Sequence, residues 1–161
     1  MPDDVRLEPL DIAHVVPLRR LHRQPGVTKW WGPMEDGFPF DEPESIRFAI
    51  VAGNEVVGMT QYGEEKWPDY RHAWIDVFVG DDYVGRGIGT EAVRQIVRML
   101  IDERGHHRIT IDPDVDNVAA IRSYEKAGFH RVGVLQSASR QSATSEWRDE
   151  LLMELVDVRD S

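Results

Sequence analysis

The segment Val84-Gly85-Arg86-Gly87-Ile88-Gly89-Thr90-Glu91 constrains this chain more than any other. It stands between a run of β-branched and aromatic residues, Ala73 to Val79, and a stretch from about Gly87 to Glu103. In that stretch Ile88, Ala92, Val93, Ile96, Val97, Met99 and Leu100 recur at helical spacing. Strand, glycine turn, helix is the predicted order. A helix N-terminus leaves backbone N–H groups without intrahelical partners and carries partial positive charge. Glycines at 85, 87 and 89 let a ligand approach that backbone closely. The turn therefore reads as an anion site suited to a pyrophosphate, with Arg86 placed to add a charge-assisted bond. No Lys-Ser or Lys-Thr follows, so it is not a P-loop, and the glycine spacing differs from a dinucleotide fingerprint. A turn that merely packs a helix on a sheet is the simpler alternative.

At 161 residues, 41% hydrophobic and 30% charged, the chain is expected to form one domain, 1–161, with its own core. No run of 18 apolar residues occurs, so no membrane span is expected. The N-terminal stretch Met1-Pro2-Asp3-Asp4 lacks the apolar region of a signal peptide. A cytoplasmic protein, monomer or homodimer, is the expectation. There is no cysteine, which excludes disulfides, thiolate metal sites and a Cys nucleophile. The six histidines show no metal-ligand spacing, and no metal is expected. The net charge of −10 argues against a nucleic-acid partner. It suits a cationic small-molecule substrate, or serves only solubility.

Along the chain, Val5 to Leu7 is a short strand candidate, and Asp11 caps a helix to about Arg23 that Pro17 kinks or splits. Residues 24–45 read as irregular around the pair Trp30-Trp31, with a short helix near Asp41 or Pro43. Phe48 to Ala52 and Glu55 to Tyr62 form strands joined by Gly53-Asn54, and residues 63–70 a polar loop. After the long helix, capped near Gly105, come a strand at Arg108 to Ile111 and a helix from Asp116 or Asn117 to Lys126. That helix ends at Ala127-Gly128. His130 to Leu135 and Glu150 to Val156 close the chain as an antiparallel pair. Antiparallel strands first and a βαβ unit second define a mixed α/β sheet flanked by helices.

About 28 residues after the glycine turn stands Asn117-Val118-Ala119-Ala120-Ile121-Arg122-Ser123-Tyr124-Glu125-Lys126-Ala127-Gly128-Phe129. Strand, glycine turn, helix, strand and then Asn-x-x-Ala-x-x-x-Tyr-x-x-x-Gly-Phe resembles the GCN5-related N-acetyltransferase (GNAT) superfamily. The motifs lie in 74–129 and the element order extends over roughly 5–156. One departure is Val84, where the superfamily usually has Gln or Arg; since the turn acts through backbone N–H groups, this changes little. The resemblance implies a largely antiparallel mixed sheet splayed after the strand 73–79, with acetyl-CoA as co-substrate in the cleft. It also implies direct attack of an amine on the thioester, without an acyl-enzyme. Residue by residue, it assigns the pyrophosphate to Arg86, Gly87, Ile88, Gly89 and Thr90, with Phe78, Val79, Val84 and Ala120 also along the cofactor. Asn117 would contact the CoA arm and Tyr124 would protonate the departing thiolate. Asn117 and Tyr124, seven apart, lie on nearly one helical face. A core aromatic with a satisfied hydroxyl is the other reading of Tyr124.

Trp30-Trp31-Gly32, Trp74-Ile75-Asp76 and Ile111-Asp112-Pro113-Asp114 together resemble the aminoglycoside 6'-N-acetyltransferases, which implies a polycationic acceptor and a role in antibiotic resistance. By alternation Trp74, Asp76 and Phe78 share one face of their strand. A carboxylate among aromatics is costly to bury unless paired or functional. Asp76 is the candidate to bind the acceptor ammonium and take its proton, unless it only faces solvent or forms an ion pair. Asp112 and Asp114 either hold further ammonium groups or cap a local turn. Trp30 and Trp31 either stack on a sugar ring or plug the core. From Pro33 to Ser45, Glu35, Asp36, Asp41, Glu42 and Glu44 are unopposed by Lys or Arg in sequence, as in an acidic flap or a solvated loop. Other acceptors, namely a protein N-terminus, a polyamine or a siderophore amine, stay open, as does a non-catalytic acyl-CoA-binding sensor.

Overall fold

The computed structural model describes residues 4–159; Met1-Pro2-Asp3 of the acidic N-terminal stretch lies outside them. Seven strands and four α-helices follow in the order β1 (Val5–Pro9), α1 (Val15–His22), α2 (Pro25–Trp31), β2 (Ile46–Ala52), β3 (Glu55–Glu65), β4 (His72–Val79), α3 (Ile88–Asp102), β5 (Arg108–Ile111), α4 (Val118–Lys126), β6 (His130–Ser139) and β7 (Arg148–Val156). One sheet runs β1-β2-β3-β4-β5-β7-β6. Every neighbouring pair is antiparallel except β4–β5. No described helix is long and apolar enough to cross a membrane.

Three expectations change. Residues 25–31 form α2, with Pro25 at its first turn, where a missing N–H costs nothing. The expected helix near Asp41 or Pro43 does not form, and that segment is a series of turns. The polar loop 63–70 is shorter than expected, because β3 runs on to Glu65 and a single 3₁₀ turn spans Pro68–Tyr70. The first helix opens as a 3₁₀ turn at Ile12–His14 that runs directly into α1, and Pro17, expected to kink or split it, sits within the first turn of α1.

Each face of the sheet buries a separate apolar layer. Ile75, Ile109, Ile111, Leu151 and Met153 point toward α3 and α4, against Val93, Ile96, Leu100 and Ile121. On the opposite face Met59 and Phe78 pack on Leu18 and Leu21 of α1 and Val27 of α2. Strand alternation then fixes which side chains face the second layer: Asp76 on β4, Asp112 just past β5 and Glu150 on β7. The expected pairing of Trp74, Asp76 and Phe78 on one face holds, with Trp74 lying over Gly63 of β3.

Candidate active site

The cleft arises from incomplete pairing. β3 and β4 pair over eight positions, from Gly58↔Val79 to Glu65↔His72. β4 and β5 pair only at Ala73↔Ile109 and Trp74↔Thr110 and then diverge. Beyond Trp74, the β5-facing edge of β4 has no ladder partner, so an extended polar ligand can bond there.

At the end of β4 the glycine turn opens α3. Gly85 and Gly87 hold φ of 81° and 79°, left-handed values that a side chain resists. Gly87 is the cap, and its carbonyl accepts the first helical bond from the Glu91 N–H at 3.0 Å. The N–H groups of Ile88, Gly89 and Thr90 precede any intrahelical partner. Gly89 is helical, in the first turn of α3, so no left-handed φ requires a glycine there. Arg86 is exposed, over the Tyr83 ring at 5.5 Å, and Val84 is 60% exposed. Thr90 is buried, its Oγ1 2.7 Å from Ser123 Oγ, and so joins α3 to α4. The Phe78 side chain turns into the α1–α2 layer, leaving only its backbone for a ligand. The side chain of Val79 packs in the α3 layer.

α4 is set at both ends by its own motif. Asn117 Oδ1 accepts from Ala120 N–H at 3.4 Å as the N-cap. At the other end Gly128 takes φ 108°, Phe129 N–H reaches Tyr124 O at 3.0 Å and Gly128 N–H reaches Glu125 O at 3.1 Å. This is a Schellman closure, and its apolar contact is Tyr124 against Phe129, 6.4 Å between centroids. The Tyr-x-x-x-Gly-Phe pattern thereby locks the tyrosine ring in place. Tyr124 is 6% exposed, and burial with the nearby charges of Asp76 and Asp112 pushes its phenol well up, keeping it protonated.

Three carboxyl groups meet across from it. Burial pushes Asp76 up to about 6, opposed by a hydrogen bond from Gln61 Nε2 to Oδ2 at 3.1 Å. Asp112 is raised by burial and by the charge of Asp76, and its carboxylate accepts from Glu150. Burial raises Glu150 to about 7, against a bond from Ser139 Oγ at 2.8 Å, and the proximity of Asp112 adds to the rise. Crowded carboxyls that cannot all ionise together form a site with high affinity for added positive charge. Glu150 was not singled out in the sequence. The alternation Glu150-Leu151-Leu152-Met153 placed it on the face opposite the core, but only the fold brings it to Asp112.

The other candidates divide. Asp114 serves its own turn, accepting from Asp116 N–H at 2.8 Å, and lies 3.5 Å from Arg148 Nη1. Trp31 meets Phe78 edge-on at 5.0 Å and belongs to the core layer. Trp30 borders a groove of about 600 Å3, with Asp114, Gln141, Glu146, Trp147 and Arg148. The groove adjoins the cleft at Asp114 but does not include Asp76, Asp112 or Tyr124. In the acidic segment 33–45 one acid is opposed and the backbone is tied down. Asp41 is bonded to Arg47 Nη1 at 2.6 Å, and Arg19 Nη1 donates to Phe38 O at 2.7 Å. Both arginines lie outside the segment in sequence and reach it only in the fold.

The chain belongs to the acetyltransferase (GNAT) family, whose model matches residues 15–129. Among its relatives is the aminoglycoside N(6')-acetyltransferase type 1 of Klebsiella pneumoniae, 44% identical over 132 aligned positions. That match covers 68% of this chain and 65% of the relative, slightly under two thirds of it. Solved structures share the fold. The aminoglycoside acetyltransferase AAC(6')-Ib in complex with coenzyme A and kanamycin superposes with a TM-score of 0.75 at 23% identity, over 95% of both chains. The spermidine N-acetyltransferase of Vibrio cholerae, in complex with coenzyme A and spermine, superposes with 0.78 at 15% identity, over 95% of both chains.

Proposed function

We propose that this protein is an acetyl-CoA-dependent N-acetyltransferase acting on a primary amine of a small polycation, an aminoglycoside being the acceptor class that best fits. The observation that carries this reading is the convergence of Asp76, Asp112 and Glu150 on one cleft, facing the buried Tyr124. The residues present fit the co-substrate: the exposed turn at Gly85–Gly87 and the N–H groups of residues 88–90 suit a pyrophosphate. The diverging edge of β4 suits an amide-bearing arm. When bound, acetyl-CoA supplies an activated acetyl group.

The chain's own residues do the rest. The carboxylates draw an ammonium into the cleft and hold it by charge. Asp76, poised near 6, takes its proton at a carboxylate oxygen, directly or through water, and frees the nitrogen lone pair. Tyr124 holds its proton on the phenol oxygen, ready to protonate the leaving sulfur. Asp112 with Glu150 holds a second ammonium of the same acceptor, which favours molecules with several amines over simple ones. The Trp30 groove, of a size that holds small ligands, offers room for the remainder of a multi-ring acceptor.

Release of free thiol from acetyl-CoA, measured with kanamycin, spermine and a peptide amine in parallel, tests this reading. Turnover with kanamycin well above the other two is expected. Turnover confined to spermine would move the acceptor to polyamines, and turnover on the peptide alone would overturn a small-polycation acceptor. Binding of CoA with no thiol release from any amine would favour a non-catalytic sensor.

A further inference from the structure

Asp76 ends a row of side chains that crosses three strands. Arg47 on β2 is the register partner of Gln61 on β3, and Gln61 is the partner of Asp76 on β4. Directly opposed residues on one face of a sheet stand close enough for their side chains to bond, and here each does. Arg47 Nε donates to Gln61 Oε1 at 2.8 Å, and Gln61 Nε2 donates to Asp76 Oδ2 at 3.1 Å. An amide side chain can be turned either way; here the cation at one end leaves its NH2 only toward the carboxylate. The Arg47 side chain is 4% exposed and is itself held by two residues of the segment 33–45. Its Nη1 donates to Asp41 Oδ1 at 2.6 Å and to Pro39 O at 2.9 Å.

We propose that Arg47 is a positioning residue for Asp76, acting through Gln61 and anchored by Pro39 and Asp41. This rests on the reading of Asp76 as the proton acceptor given above. A buried arginine is costly unless its donors are used, and Arg47 uses them to turn one amide toward one carboxylate. The row does two things. It fixes the carboxylate rotamer, so one oxygen accepts from Gln61 and the other is left for the substrate. It also favours the ionised carboxylate, against burial and the charges of neighbouring acids. The groups facing Asp76 are Gln61 and Arg47 from β3 and β2, Asp112 and Glu150 from the far side of the cleft, and Tyr124 from α4. His22 of α1, in the second layer, has its ring against Phe38 and Phe78.

The test compares wild type, Arg47→Met, Gln61→Leu and Asp76→Asn by two readouts. The first is the carboxyl titration of Asp76 by carbon NMR, assigned from the Asp76→Asn spectrum; the second is the pH profile of kcat/KM with acetyl-CoA and kanamycin. In Gln61→Leu the titration moves up by about one pH unit, the scale of one lost hydrogen bond to a carboxylate. The acidic limb moves with it, so activity near pH 6 falls about fivefold more than at pH 9. Arg47→Met shifts both in the same direction. Should the buried Arg47→Met fail to fold, Gln61→Leu, at a half-buried position, carries the test. A titration and limb unmoved in Gln61→Leu, or activity reduced equally at every pH, would overturn the positioning role. Full activity in Asp76→Asn would instead overturn Asp76 as proton acceptor, while the titration in Gln61→Leu still judges the row.

Discussion

Replacing Asp76 by Asn should make the protein more stable and much less active. The carboxyl rises from 3.8 to about 6 because burial disfavours its charged form. Its proton therefore leaves the unfolded chain first as pH rises. The folded state is penalised progressively between about pH 4 and pH 6, and fully above. Two pH units correspond to about 3 kcal/mol; partial solvent contact at Asp76 trims this to about 2 kcal/mol. Asn keeps an oxygen that accepts from Gln61 and carries no charge, so it avoids the penalty. Thermal unfolding at pH 8 should show Tm raised by about 4–8 °C for a domain of this size, with the advantage over wild type fading by about pH 4. Thiol release should fall by about 10²–10⁴, the usual contribution of a general base. An Asn variant no more stable than wild type at pH 8, or one whose gain persists undiminished at pH 4, would refute the burial argument.

Glu150→Gln removes a repelling carboxyl from beside Asp112 and Asp76, so the acidic limb of kcat/KM should move to lower pH, opposite in sign to Gln61→Leu. The same variant should raise KM for kanamycin by about tenfold, the scale of one charged contact, while a monoamine is less affected. Tyr124→Phe should lower kcat by about 10²–10⁴ with CoA affinity unchanged by calorimetry; equal turnover at every pH would refute the acid role. Gly87→Ala forces a Cβ onto φ 79°, which should cost about 1–2 kcal/mol in urea unfolding and weaken CoA binding with it.

Much of the glycine turn and of α4 was legible in the chain because their signals are local. Left-handed glycines, an Asn N-cap and a Gly-Phe closure act within a few residues of the side chains they place, so motif and geometry coincide at 85–90 and 117–129. Asp76 stood out because a carboxylate in an apolar strand demands a reason. The misreadings came where local composition misleads. Pro, Gly and two tryptophans made 24–31 look irregular, yet Pro25 suits a helix start and Trp31 is drawn onto Phe78 by packing. Asp41 looked unopposed because Arg47 reaches it only from β2, while Arg19 of α1 holds the segment by its backbone carbonyl at Phe38.

Most of the order of strands and helices, the glycine turn that opens α3 and the closure that places Tyr124 were determined by the sequence itself, through propensity, capping and alternation over short separations. The splay of β4 from β5, the arrival of Glu150 beside Asp112 and the row Arg47–Gln61–Asp76 were decided only by tertiary structure. Each depends on strand register, and register is set by burying two apolar layers at once. No short stretch of sequence records which polar residues that burial will leave face to face.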